Sequence, residues 1–233
     1  MKVVILCGGL GTRLADETKL KPKPMVKICN KPILSHITEI YERNGFREFI
    51  FALGYKGHVI RKYYLKKKLK SKIYLVDTGK NTLTGGRLLR LKKYFEKGEN
   101  FMLTYGDGLT NQNLKKLLNF HLKHKKVATM TAVRPLVRFG EIALKQNQVK
   151  DFQEKPQSTK GWINGGFFVF NYKIFDFIKN DQTMLEREPM QKLTKQSQLM
   201  AFKHPGFWSC MDTMRDKKFL NKLCQKKKIP WKV

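Results

Sequence analysis

The residues with the clearest chemical potential stand directly after a short apolar run. Val3-Val4-Ile5-Leu6 leads into Cys7-Gly8-Gly9-Leu10-Gly11-Thr12-Arg13-Leu14. Glycines at the end of a buried strand let backbone N–H groups approach phosphate oxygens, and Arg13 adds a fixed fork of donors, so the pattern predicts a polyphosphate site. It is not a dinucleotide fingerprint, because the third glycine of that motif would fall at Leu14. Nor is it a Walker A loop, since no Gly-Lys-Ser/Thr closes it. Two carboxylates, Asp107 in Gly106-Asp107-Gly108 and Asp212 in Met211-Asp212-Thr213, also stand where predicted elements end. Taken singly they read equally well as a turn former and a helix N-cap. Lys23 lies between Pro22 and Pro24 and, by itself, reads as a surface lysine. His121 and His124 share a helix face at i, i+3, but with no carboxylate or cysteine beside them they read as a solvated pair rather than a metal site.

In open α/β sheets the ligand crevice lies beyond the carboxyl ends of the strands, so these residues need strands to carry them there. Short runs rich in Val, Ile and Phe alternate with longer amphipathic stretches, the pattern of an α/β protein with a mostly parallel central sheet. Strands are expected at 2–6, 46–53, 73–76, 101–105 and 127–133. Helices are expected after Pro32, where Ile33, Ile37, Ile40 and Tyr41 share a face, and at 58–70, 87–95, 111–123 with Asn111 as cap, and 213–226. Shorter strands near 141–144, 149–152 and 167–170 imply some antiparallel members. No repeat or linker divides the chain, so residues 1–233 are expected to form one domain.

Composition bounds the partners. The chain has 233 residues, and a hydrophobic fraction of 41% excludes a disordered protein. Its net charge of +30 would suit nucleic acid or a membrane surface, yet the lysines are scattered over predicted helix faces with only short runs at 66–68 and 226–228. A nucleic-acid footprint requires clustering, so neither nucleic acid nor a membrane is expected as partner, while anionic substrates benefit from the field in any case. Cys7, Cys29, Cys210 and Cys224 show no CxxC spacing, which points to free thiols in a reducing, cytoplasmic setting. No run reaches transmembrane length, and the apolar core before Cys7 is too short for a signal peptide.

Several segments together are similar to one family. Residues 6–14 with Lys23-Pro24-Met25 resemble the signature of the sugar-phosphate nucleotidyltransferases. Asp77-Thr78-Gly79, Thr84-Gly85-Gly86-Arg87, Thr104-Tyr105-Gly106-Asp107-Gly108, Glu154-Lys155-Pro156, Trp162 to Phe168, and Gly206-Phe207-Trp208 with Met211-Asp212-Thr213 extend the likeness in order over nearly the whole chain. The resemblance implies a three-layer α/β/α Rossmann-like nucleotide-diphospho-sugar transferase fold. It further implies transfer of a cytidylyl group from CTP to α-D-glucose 1-phosphate, with Mg²⁺ as cofactor. Carried over residue by residue, it makes Arg13, Lys23, Asp107 and Asp212 catalytic, the two aspartates holding the metal. It places Leu6, Cys7, Gly8, Gly9, Leu10, Gly11, Thr12, Arg13, Lys23, Thr82, Arg87 and Gly106 at the nucleotide, with Arg87 a donor to the base. Glu154, Lys155, Asn164 and Gly165 fall at the sugar phosphate, and a homo-oligomer is expected.

The sequence also departs from the family pattern. Cys7 replaces the usual alanine, Cys29-Asn30 replaces paired glycines, and roughly twenty residues are missing between Tyr64 and Ile73, a change that loop tolerance alone absorbs. Two other readings stay open at this level: the same chemistry with another base or sugar phosphate, or a nucleotide-sugar or nucleic-acid binding module without catalysis.

Overall fold

Val3 and Ile5 enter one buried cluster while Val4 and Leu6 enter another, as a strand covered on both faces requires. In the computed structural model, which describes residues 1–67, 69–135, 141–153 and 161–232, this strand is β1 (Lys2–Leu6). Then follow α1 (Ala15–Thr18), β2 (Lys27–Ile28), β3 (Lys31–Pro32), α2 (Ile33–Arg43), β4 (Glu48–Leu53), α3 (Gly57–Leu65), β5 (Lys72–Asp77) and α4 (Thr84–Arg90). The middle of the chain supplies β6 (Asn100–Tyr105), β7 (Gly108–Thr110), α5 (Leu114–His124), β8 (Ala128–Val133), β9 (Glu141–Lys145), β10 (Gln148–Gln153) and β11 (Ile163–Asn171). It closes with α6 (Glu188–Lys195), β12 (Leu199–His204), β13 (Trp208–Cys210) and α7 (Met214–Gln225).

Seven strands form the central sheet in the order β12-β8-β11-β6-β1-β4-β5. All run in one direction except β11, which is antiparallel to both β6 and β8. One face is covered by α2, α3, α5, α7 and the C-terminal Trp231, the other by α4, α6 and the 3-10 turn Tyr172–Phe177. This is the expected three-layer α/β/α sandwich with a mixed, mostly parallel sheet. The carboxyl ends of β1, β4, β5 and β6 share one edge. Because β11 runs the other way, its beginning, Ile163 and Asn164, reaches that same edge.

Several local expectations need correction, each for a physical reason. The cap of α5 is Asn113, because it is the Asn113 side chain that accepts from Lys116 N; Asn111 lies before the helix and donates its N–H to the Phe207 carbonyl. Helix α3 stops at Leu65 instead of running to Lys70, and Lys72 N joins the Arg47 carbonyl to open β5. The sequence reading had no place for the turn at Tyr172–Phe177, for α6 or for β12. Helix α6 is only eight residues long, mostly polar, and buries Pro189, Met190 and Leu193, and β12 is a half-exposed edge strand, so each offers too few apolar residues to stand out. Four free thiols are not found either. Cys29 and Cys224, 195 residues apart, meet with their Cα atoms at 5.8 Å and are joined as a disulfide, leaving Cys7 and Cys210 free.

The histidine pair is not solvated. His121 is 2% exposed and shares hydrogen bonds with Thr129 Oγ1 at 2.9 Å and Asn100 Oδ1 at 3.3 Å, while His124 meets the same threonine at 2.6 Å. Burial, with His124 alongside, lowers the His121 imidazole from 6.5 to about 4. The unfolded chain therefore takes up a proton that the folded protein resists. Stability from neutral His121 is complete above pH 6.5 and is lost as the pH falls toward 4. His121→Gln should flatten that acid limb, removing on the order of 3 kcal/mol of the pH dependence. Urea midpoints of the two proteins at pH 7 and pH 4.5 measure the difference.

Candidate active site

The loop after β1 lies at the sheet edge and has no room for a side chain at two of its glycines, Gly8 and Gly11. A Cβ on Gly8 would stand 2.1 Å from Arg87 Nη1, and Gly11 has φ +69° with Thr18 Cγ2 2.9 Å from its Cβ position. Both constraints select glycine on steric grounds. The loop borders a cleft of about 410 Å³. Of the twelve residues assigned to the nucleotide, Leu6, Cys7, Gly8, Gly9, Gly11, Thr12, Arg13, Lys23, Thr82, Arg87 and Gly106 line it, and Leu10 does not.

Across the cleft three charged segments meet at one point. A 3-10 turn, Lys23–Met25, with Pro22 before it, presents the Lys23 ammonium 2.5 Å from Asp107 Oδ2 and 2.5 Å from Asp212 Oδ1. Arg13 Nη1 lies 2.7 Å from Asp212 Oδ2. Backbone pairing brings the aspartates together: β7, just after Asp107, is antiparallel to β13, just before Asp212, and Met211 N donates to the Asp107 carbonyl. Asp212 is not the cap of α7. That role belongs to Thr213, which forms a capping box with Asp216, so the Asp212 carboxylate is left to face the cleft.

The charges sustain one another. Burial works against the Lys23 ammonium, yet the contacts with Asp107 and Asp212 outweigh it and hold its pKa above the ordinary lysine value. Burial likewise opposes ionisation of Asp212, and Lys23 and Arg13 reverse the effect and lower its pKa. The thiols are unsuited to nucleophilic work: burial pushes Cys210 up to about 12, with Asp107 and Asp212 adding to it, and raises Cys7 as well.

Arg87 behaves differently from the expectation. It is 4% exposed, and its two terminal nitrogens donate to the carbonyls of Leu53, Gly79, Gly8 and Lys80 and to Thr78 Oγ1. The guanidinium expected at a base edge is committed to the ends of β4 and β5 and to the glycine loop, clasping three segments of the cleft wall. Burial holds its pKa below the usual guanidinium value.

Of the residues expected at the sugar phosphate, Asn164 stands at the start of β11, where its Oδ1 accepts from Gly166 N and its Nδ2 is 3.5 Å from the Tyr105 hydroxyl. Gly165 is buried behind it, its carbonyl accepting from Trp208 Nε1 at 2.7 Å. Glu154 and Lys155 lie outside the described residues. The structure adds Tyr105, Met184 and Glu186 to the cleft wall. No sequence signal marks Glu186. It reaches the site because the segment around 181–185 packs on α4, through Leu83 N to the Asp181 carbonyl and Gly85 N to the Thr183 carbonyl.

A glycine loop at the carboxyl edge of a mostly parallel sheet, facing two carboxylates and two cations, defines a nucleotide-handling α/β protein. Residues 2–215 match the family model for nucleotidyl transferases, and the chain belongs to that family. It is 46% identical to the glucose-1-phosphate cytidylyltransferase of Salmonella typhimurium, covering 100% of this chain and 99% of that one. A probable glucose-1-phosphate cytidylyltransferase of Bacillus subtilis is 41% identical with complete coverage of both. Among solved structures, HddC from Yersinia pseudotuberculosis complexed with GMP-PN superposes with a TM-score of 0.75 at 27% identity, over 95% of this chain and 98% of that one. The Salmonella alignment spans 255 positions against 233 residues here, in keeping with a missing segment of the size expected between Tyr64 and Ile73.

The clasp at Arg87 makes a prediction. Arg87→Met removes every hydrogen bond of the clasp and should lower stability by about 3 kcal/mol or more. In chemical denaturation this appears as an earlier midpoint, and in nucleotide titration as weakened binding.

Proposed function

We propose that this chain transfers a cytidylyl group from CTP to α-D-glucose 1-phosphate, giving CDP-glucose and pyrophosphate. The observation that carries the reading is the convergence of Lys23 and Arg13 on Asp107 and Asp212 beside the glycine loop. The names of the full-length relatives supply the base and the sugar.

In this reading a phosphate oxygen of the sugar phosphate attacks the α-phosphorus of CTP. The new P–O bond forms as the bond from the α-phosphorus to the oxygen bridging it to the β-phosphorus breaks, and pyrophosphate leaves. Both reactants are anions; two unit charges at 4 Å repel by about 4 kcal/mol at an effective dielectric of 20. Cancelling that repulsion is the main task of the site. Arg13 and the N–H groups of residues 8–12 hold the triphosphate, and Lys23 stands over the phosphoryl group being transferred. Thr82 lines the nucleoside end, Arg87 keeps the loop in place, and Asn164 and Gly165, with Glu154 and Lys155, serve the sugar phosphate.

Asp107 and Asp212 suit Mg²⁺. Two hard carboxylate oxygens already close on a single cation, the Lys23 ammonium. Among the described residues no cluster of three or more His, Cys, Asp or Glu side chains could hold a metal, which leaves further positions to phosphate oxygens and water, the usual arrangement for this ion. When bound there, Mg²⁺ supplies positive charge to the phosphate oxygens and helps fix the in-line geometry.

We further read residues 1–233 as one domain that acts as a homo-oligomer in the cytoplasm on small anions, without nucleic acid or a membrane. In support, among the described residues no helix is long and apolar enough to cross a membrane.

Pyrophosphate release with Mg²⁺, across a grid of nucleoside triphosphates and sugar 1-phosphates, tests the assignment. CTP with glucose 1-phosphate should dominate; a different preferred base would replace the base assignment, and no turnover with any pair would leave a binding module. Asp107→Asn should lower kcat at least about a hundredfold with unchanged circular dichroism. Undiminished turnover in that variant would refute the metal role.

A further inference from the structure

Glu186 is a carboxylate in a cleft whose cations, Arg13 and Lys23, are the groups read above as meeting phosphates. A negative charge there repels a polyanionic ligand, so what it holds together within the protein deserves more weight than what it would bind. Its Oε1 accepts from the Tyr105 hydroxyl at 2.6 Å and its Oε2 from Thr84 Oγ1 at 2.6 Å. The two donors belong to opposite halves of the site. Thr84 opens α4, the helix whose Arg87 holds the glycine loop, and its Oγ1 also accepts from Leu185 N at 2.9 Å. Tyr105 ends β6 just before Gly106-Asp107 and lies 3.5 Å from Asn164 Nδ2 on the sugar-phosphate side.

Neither donor has much freedom. Gly166, at φ +75°, would place a Cβ 2.5 Å from Tyr105 Cδ2, so the ring lies directly on the backbone of β11. Thr84 is fixed from the other side by the segment 183–185, since Gly85 and Gly86 both donate to the Thr183 carbonyl and neither has space for a side chain. Burial, reinforced by Glu186, raises the Tyr105 pKa and keeps its hydroxyl a donor. A single ionised carboxylate can accept from two hydroxyls at once, one on each oxygen.

We infer that Glu186 is a positioning residue that braces the nucleotide half of the cleft to the sugar-phosphate half through Thr84 and Tyr105, so that both halves depend on its two hydrogen bonds. The inference rests on the transferase reading for the identity of the ligands. It predicts a pattern across variants that general loss of stability would not produce. Thr84→Val should weaken the nucleotide alone, Tyr105→Phe the sugar phosphate alone, and Glu186→Ala both.

The test is calorimetric titration of the full chain with CTP and, separately, with glucose 1-phosphate, alongside steady-state kinetics and thermal melts. Glu186→Ala should raise both dissociation constants about tenfold, the loss of one good hydrogen bond at each half. Glu186→Gln keeps the shape and can still bond both hydroxyls, so it should recover most of the affinity. In the double variant Tyr105→Phe/Glu186→Ala, sugar-phosphate affinity should be no lower than in Glu186→Ala. Unchanged constants in Glu186→Ala would overturn the brace. Loss confined to glucose 1-phosphate and equal in Glu186→Gln would also overturn it, in favour of a direct ligand contact. If the wild-type chain binds both ligands with this variant pattern but never releases pyrophosphate, the brace stands and the transferase reading fails. If it binds neither ligand, both fall.

Discussion

The Lys23 ammonium held between Asp107 and Asp212 is the interaction on which the site depends. It joins three distant stretches of chain: a proline-bounded turn after the glycine loop, the end of β6, and the segment leading into α7. Two half-buried carboxylates so close together would repel strongly without a cation between them. In the reaction proposed above, the same two carboxylates would turn to Mg²⁺. Arg13 extends it by one contact toward solvent, where an incoming phosphate would meet it first.

A second cation serves the wall instead of the floor. Arg87 has no carboxylate partner among its hydrogen bonds; its partners are backbone carbonyls and one hydroxyl. A buried guanidinium surrounded by carbonyl dipoles is satisfied without losing its charge, and it adds a second partner to the Leu53 and Gly8 carbonyls, which already accept from Thr78 N and Tyr55 N. The glycine loop is thus held by a side chain from another layer, and the absence of a Cβ at Gly8 is what allows the guanidinium to approach. Phosphate affinity and loop rigidity come from different residues.

Much of the fold could be read from periodicity. The strands at 2–6, 46–53, 73–76 and 101–105 are continuous apolar runs because the sheet is covered on both faces, and each was found within a residue or two of its predicted bounds. Short or largely polar elements are not legible in this way: α6 has eight residues with three buried, and β12 is half exposed. The start of α5 falls two residues after Asn111 because the Asn113 side chain, and not that of Asn111, accepts from the N–H three residues on, and the two asparagines offer the same local signal. His121 looked solvated because its helix face is mixed, yet the space beneath it is filled by Thr129 from β8. Site residues behaved similarly. Gly8, Gly11, Lys23, Asp107 and Asp212 sit in short motifs and were legible; Glu186 stands in no motif and was not.

By itself the sequence determined the sheet, the phosphate-binding loop and the reaction class its motifs resemble, since apolar period and glycine spacing are local properties of the chain. Tertiary structure alone decided that Lys23 closes on both aspartates, that Arg87 turns inward to carbonyls, that Cys29 meets Cys224, and that Glu186 spans the two halves of the cleft. Those outcomes depend on which strand ends lie side by side. The pairing of β7 with β13 sets the first and the adjacency of β1, β4 and β5 the second, and each outcome joins segments too far apart in the chain for local spacing to reveal.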